Sequence, residues 1–148
     1  MKHVARQELA DRQFLVVEDE YLIASEMGIE LEAAGAHVVG PIGTLEHALD
    51  VSARVSFDCA IVDINLRGAE AYPLIDRLLS AGVPVLLVTG YDTADIPLLY
   101  QQIPRIQKPV SRGELISASA NLDHYARIFG TASQRRLPKR DARIITQG

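Results

Sequence analysis

Five side chains in this sequence have the types and positions that phosphoryl and metal chemistry needs: Glu18, Asp19, Asp63, Thr89 and Lys108. Each follows an apolar run. Phe14-Leu15-Val16-Val17 leads into Glu18-Asp19-Glu20, and Ile61-Val62 leads into Asp63. Pro84-Val85-Leu86-Leu87-Val88 leads into Thr89-Gly90, and Arg105-Ile106-Gln107 into Lys108-Pro109. Carboxylates gathered at one edge repel each other unless a cation sits among them, and hard oxygen donors of this kind suit Mg2+. Lys108 offers an ammonium to a carboxylate or a phosphoryl oxygen, and Thr89 offers a hydroxyl. Aspartate can accept a phosphoryl group, which makes Asp63 the candidate nucleophile. The set describes a site that stabilises charge on a phosphoryl group moving onto or off Asp63. Taken singly, each residue has a plainer role. Asp19 or Glu20 caps the next helix, Thr89 sits in a turn, and Lys108 is solvated. The conjunction argues for a site: acid pair, acid, hydroxyl and lysine close four apolar runs in order.

Those runs must be strands of one sheet for the groups to meet. In an open parallel sheet, ligands bind at the carboxyl ends of the strands. Strands are expected at about 13–18, 37–40, 59–62, 84–88 and 105–107, with Pro41 ending the second. Helices are expected at about 20–34, 44–53 and 70–81. Leu22, Ile23, Met27, Leu31 and Ala34 mark the inward face of the first, Leu45, Ala48 and Leu49 that of the second. Thr44 is the cap of the second helix. A fourth helix over 93–101 is weakened by Pro97, which removes a backbone donor. A fifth opens with the Ser-x-x-Glu capping box of Ser111 and Glu114 and runs to about 129, presenting Leu115, Ala118 or Ser119, Leu122, Tyr125 and Phe129 on its apolar face. Alternating strands and helices, with strands apolar along their whole length, predict an α/β fold: a doubly wound five-stranded parallel sheet of order 2-1-3-4-5.

Composition sets the remaining bounds. The chain has 148 residues, 48% hydrophobic and 23% charged, as expected of one globular domain. The expected organisation is a lead-in over 1–12, a domain over 13–130 and a basic, flexible tail over 131–148, with no output domain encoded. Residues 1–120 carry 17 acidic and 9 basic side chains, whereas residues 121–148 carry 6 basic and 2 acidic ones. An acidic body makes nucleic acid an unlikely partner. No apolar run reaches the roughly 20 residues of a membrane span, and the N-terminus lacks a secretory signal core. The single cysteine, Cys59, excludes an internal disulfide, and a cytoplasmic location is expected. The four histidines have no metal spacing.

With Val16-Val17-Glu18-Asp19-Glu20, Val62-Asp63, Thr89-Gly90 and Lys108-Pro109 in place, the chain resembles the receiver domain of two-component response regulators, over residues 13 to about 124. The resemblance implies a flavodoxin/CheY-like fold with Asp63 as phosphoacceptor. It also implies Mg2+ held by Glu18, Asp19, Asp63 and the backbone carbonyl of Asn65, with Thr89 as switch hydroxyl and Lys108 as phosphate contact. It implies a cis bond before Pro109. Two positions depart from the common pattern. Arg105 stands where an aromatic reporter is usual, and Asn65-Leu66-Arg67-Gly68 replaces the frequent Met-Pro loop. Leu87-Val88-Thr89-Gly90-Tyr91 partly resembles the signature of the FATGUY receivers of alphaproteobacteria, which lack the aromatic switch and commonly act with HWE-type kinases. The expected function is a stand-alone receiver that takes phosphate from a histidine kinase or phosphotransfer protein. It then signals through a changed protein-binding surface, or serves as a phosphate sink or relay, and it is not a turnover enzyme. Switching is expected to work by ordering residues 89–103, not by an aromatic rotamer. Asn65 and Tyr91 are expected to flank the phosphoryl group. A homodimer through the face of helix four, strand five and helix five is a further expectation. The alternatives are a phosphorylation-independent docking module and a phosphohydrolase, the latter disfavoured because Asn65 stands where a second catalytic acid is wanted.

Overall fold

The computed structural model describes residues 7–122. Five parallel strands form the central sheet in the order β2-β1-β3-β6-β7: β1 Gln13–Val17, β2 His37–Ile42, β3 Cys59–Val62, β6 Val85–Thr89 and β7 Arg105–Gln107. Two short strands, β4 Asn65–Leu66 and β5 Ala69–Glu70, pair antiparallel as a separate hairpin. The helices are α1 Tyr21–Ala33, α2 Leu45–Arg54, α3 Tyr72–Ser80 and α4 Arg112–Ala120. Apart from the hairpin, this is the doubly wound sheet that the alternating apolar runs predict.

Both faces of the sheet are covered. Alternation along β1 sends Leu15 and Val17 into a core with Ala48, Val51, Leu74, Ile75 and Leu78, from α2 and α3. It sends Phe14 and Val16 into a second core with Met27, Leu31, Leu115 and Leu122, on the side of α1 and α4. Burial on both faces is why the strands read as continuous apolar runs. The cap of α2 forms as expected, with the Thr44 hydroxyl oxygen accepting the N–H of His47 at 3.2 Å. At α4 the Ser111 hydroxyl oxygen accepts the N–H of Glu114 at 3.3 Å, half of the capping box. The expected extension of that helix to about 129, with Tyr125 and Phe129, and the basic tail lie outside the described residues.

Three expectations need correction. First, β2 does not stop at Pro41 but runs through it to Ile42, with a register shift against β1 between Leu15 and Val17. It is an edge strand, where the missing proline N–H breaks no ladder bond. Second, Leu22 points outward at 78% exposure, because the buried stripe of α1 is Ala24, Met27, Gly28 and Leu31. Third, the stretch after Asp63 is the β4-β5 hairpin, turned by Arg67 and Gly68 at φ 54° and 87°. The expected weakness of the fourth helix holds: the segment is two separate 3-10 turns, Thr93–Asp95 and Leu98–Tyr100, with Pro97 in extended backbone between them. The bond before Pro109 is cis, as is that before Pro41.

Candidate functional site

The site lies at the carboxyl ends of β1, β3, β6 and β7. Parallel pairing aligns these ends: Val17 pairs with Val62, Val62 with Leu87, and Thr89 with Gln107. The next backbone bonds carry the alignment past the strands. Asp63 N–H donates to Val17 O, and Lys108 N–H to Thr89 O, each at 2.9 Å. The residues that follow four separate runs are thereby held side by side.

Lys108 is the centre of the arrangement. Its Nζ lies 2.9 Å from Asp63 Oδ2, 2.9 Å from Glu20 Oε1 and 2.9 Å from Glu18 Oε1. The hydrogen bond to Glu18 goes to the other oxygen, Oε2, at 3.2 Å. Glu18 Oε1 is left in ionic contact but without a hydrogen bond of its own, and it is fully buried. An ammonium has three donors, and three carboxylates take all of them. Glu18 Oε2 also accepts the N–H of Glu20 at 3.0 Å, and Asp63 Oδ1 accepts that of Asn65 at 3.2 Å. Both oxygens of Asp63 are thus oriented.

Glu20 is the member that sequence reasoning did not assign to the cluster. It is the residue before α1, but its side chain makes no capping bond and turns to Lys108 instead. The acidic triplet was the available signal, since neighbouring acids at a strand end point in different directions. Asp19 is the other half of that contrast. Its Oδ2 accepts the N–H of Arg67 at 3.0 Å, tying the β4-β5 hairpin to the end of β1. The carboxylates whose oxygens lie within 4.8 Å of one another are Glu18, Glu20 and Asp63.

Charge is unbalanced here. Glu18 and Asp63 are nearly buried, and three carboxylates face one ammonium. Burial pushes the Glu18 carboxyl up to about 7, with the Asp63 charge adding to the effect, against hydrogen bonds from Glu20 N–H and Lys108 that pull it down. Burial disfavours the Lys108 ammonium, but the hydrogen bonds it donates to Glu20, Asp63 and Glu18 outweigh that and hold it above the ordinary lysine value. Lys108 stays charged, while burial and crowded negative charge make ionised Glu18 costly. A buried carboxylate oxygen without a hydrogen bond, in a cluster short of positive charge, fits a hard divalent cation.

Thr89 is buried, and its hydroxyl oxygen accepts the N–H of Tyr91 at 2.9 Å. Tyr91 packs its half-buried ring against the core on the α2 and α3 side. The side chain of Asn65 is committed to the hairpin, where its Oδ1 accepts the N–H of Gly68 at 3.0 Å.

Comparison with known proteins agrees with this geometry. Residues 14–120 match the sequence model of the response regulator receiver domain. Two curated relatives come from Pseudomonas aeruginosa: the response regulator protein FleR, 32% identical over 83 residues, and the two-component response regulator PhoP, 35% identical over 80. The matches take in 55% and 53% of this chain but only 17% and 35% of those proteins. The solution structure of SdrG from Sphingomonas melonis Fr1 superposes with a TM-score of 0.68 at 32% identity, over 76% of this chain and 96% of that one.

Proposed function

The chain belongs to the response regulator receiver family, and from that premise we propose that it accepts a phosphoryl group on Asp63 and passes the signal on through a changed protein surface. The observation that supports this most is the convergence on Lys108: Glu18, Glu20 and Asp63 all lie 2.9 Å from its ammonium, beside Thr89. An Asp63 oxygen attacks the phosphorus of a phosphohistidine on a kinase or phosphotransfer protein. An O–P bond forms as the donor's P–N bond breaks. Lys108 leaves the Asp63 carboxylate and follows the negative charge onto a phosphoryl oxygen. Thr89 gives up its contact with the Tyr91 N–H and turns its hydroxyl toward another.

Glu18, Asp19, Asp63 and the carbonyl of Asn65 are the groups proposed to hold Mg2+. When bound, the cation would neutralise the negative charge of carboxylates and phosphoryl oxygens. Asn65, engaged in the hairpin turn, supports a phosphoacceptor over a phosphohydrolase, since it offers no second acid. The downstream step is proposed as a protein contact, a phosphate sink or a relay.

A phosphorylation-independent docking module is the competing reading, favoured by Leu98 and Leu99, which are 82% and 80% exposed. Titration with Mg2+, followed by NMR at residues 18–20, 63–65 and 89–91, separates the two. The phosphoacceptor reading expects saturable shifts, together with phosphate uptake from acetyl phosphate that Asp63→Asn abolishes. An absence of shifts at all three stretches favours the docking module.

A further inference from the structure

Residues 92–103 have little ladder to hold them. Each 3-10 turn has three residues, and Pro97 interrupts them. What holds the outer side of the segment is a set of side chains from β7. Strand alternation puts Arg105 and Gln107 on one face, while Ile106 enters the core on the other. The Arg105 guanidinium donates from Nη1 to Gln101 O at 3.2 Å and from Nη2 to the Thr93 hydroxyl oxygen. One planar fork therefore spans the segment from its first turn to the end of its second. The Gln101 side chain donates back to Ile96 O at 2.7 Å and to Thr93 O at 3.3 Å. Gln107 Nε2 donates to Asp92 Oδ1 at 3.1 Å. Inside, Ile96, Tyr100 and Ile103 are buried, and Leu98 and Leu99 are left projecting into solvent.

Two tethers thus act in series on the chain that leaves β6. The Thr89 hydroxyl oxygen holds the N–H of Tyr91, and two residues later the Thr93 hydroxyl oxygen is held by Arg105. Turning the Thr89 hydroxyl inward would strip the Tyr91 N–H of its acceptor, two residues before the Thr93 hydroxyl that Arg105 holds. We propose that Arg105 is a latch that fixes residues 92–103 at rest, and that drawing Thr89 toward a phosphoryl group on Asp63 releases it. Arg105 then does, by a bridging fork, what an aromatic ring does elsewhere by rotation. The release step rests on the phosphoacceptor reading of Asp63, whereas the latch itself does not.

Hydrogen exchange of the full chain tests this at the amides of Ile96, Tyr100, Gln101 and Ile103, all of which are bonded within the segment. Arg105→Ala should exchange about tenfold faster there than the parent, while amides of β1 and β3 stay protected and show an intact fold. Arg105→Lys keeps the charge but loses the planar fork, and should stay within about twofold of the alanine variant. Beryllofluoride with Mg2+, a phosphoryl mimic, should speed exchange of the segment in the parent and add little to Arg105→Ala. Parent-like protection in Arg105→Ala, or restored protection in Arg105→Lys, overturns the latch. A segment that ignores beryllofluoride while amides beside Asp63 respond overturns the release. If beryllofluoride and acetyl phosphate leave the whole parent unchanged, the phosphoacceptor reading fails and takes the release step with it, and the exchange of the untreated variants still decides the latch.

Discussion

Lys108 carries the electrostatics of the site single-handed, with its ammonium shared among three carboxylates. Lys108→Met leaves Glu18 and Asp63 buried without a counter-charge, and should destabilise the fold by about 3 kcal/mol in urea melts with a chelator present. Adding Mg2+ should restore much of that loss, because a cation can take over the neutralising role. Glu18 makes a separate prediction. Burial raises its carboxyl from the ordinary 4.5 to about 7 in the folded state, so between those values the folded state holds the extra proton. Its contribution to stability is therefore complete below pH 4.5 and is lost as pH rises through about 7. Thermal melts in chelator should show stability falling across that window, and Glu18→Gln should flatten the slope. The strand ends that carry Glu18, Asp63, Thr89 and Lys108 were legible because type and order are sequence properties. That Glu20 faces Lys108 while Asp19 faces Arg67 was not, because side-chain direction at a strand end is decided by the chain that crosses it.

Two glycines stand in left-handed backbone, Gly40 inside β2 and Gly68 at the β4-β5 turn. Gly40 lies at φ +114°, and a Cβ there would meet Val16 O at 2.6 Å. Gly40→Ala should cost about 2–4 kcal/mol, since both conformation and space oppose it. Gly68 lies at φ +87° with nothing within 4 Å of an added Cβ. Gly68→Ala should cost about 1 kcal/mol, from conformation alone. Equal losses for the two in chemical denaturation would contradict this account of β2. The strands and the capped starts of α2 and α4 were legible because apolar runs and Ser or Thr caps act locally. The β4-β5 hairpin was not, because two-residue strands have no period to read and Arg67 adopts a left-handed turn without being glycine. The course of β2 through Pro41 was hidden for another reason: only its position at the sheet edge makes the lost donor harmless.

The whole molecule joins a chemically ordered edge to a lightly held segment. The acidic cluster sits on a sheet buried on both faces, so its geometry is pre-set by strand register. Residues 92–103 hang from that rigid edge by side-chain bonds and three buried anchors, Ile96, Tyr100 and Ile103. Segments with few backbone bonds are the ones whose order a phosphate can change. Among the described residues no helix is long and apolar enough to cross a membrane.

Locating phosphate after incubation with acetyl phosphate and Mg2+ decides whether Asp63 accepts the phosphoryl group. Peptide mass spectrometry should find one acid-stable, hydroxylamine-labile phosphoryl group on the peptide holding Asp63, and none in Asp63→Asn or in the parent without Mg2+. Phosphate on another residue, or equal labelling of Asp63→Asn, would contradict it.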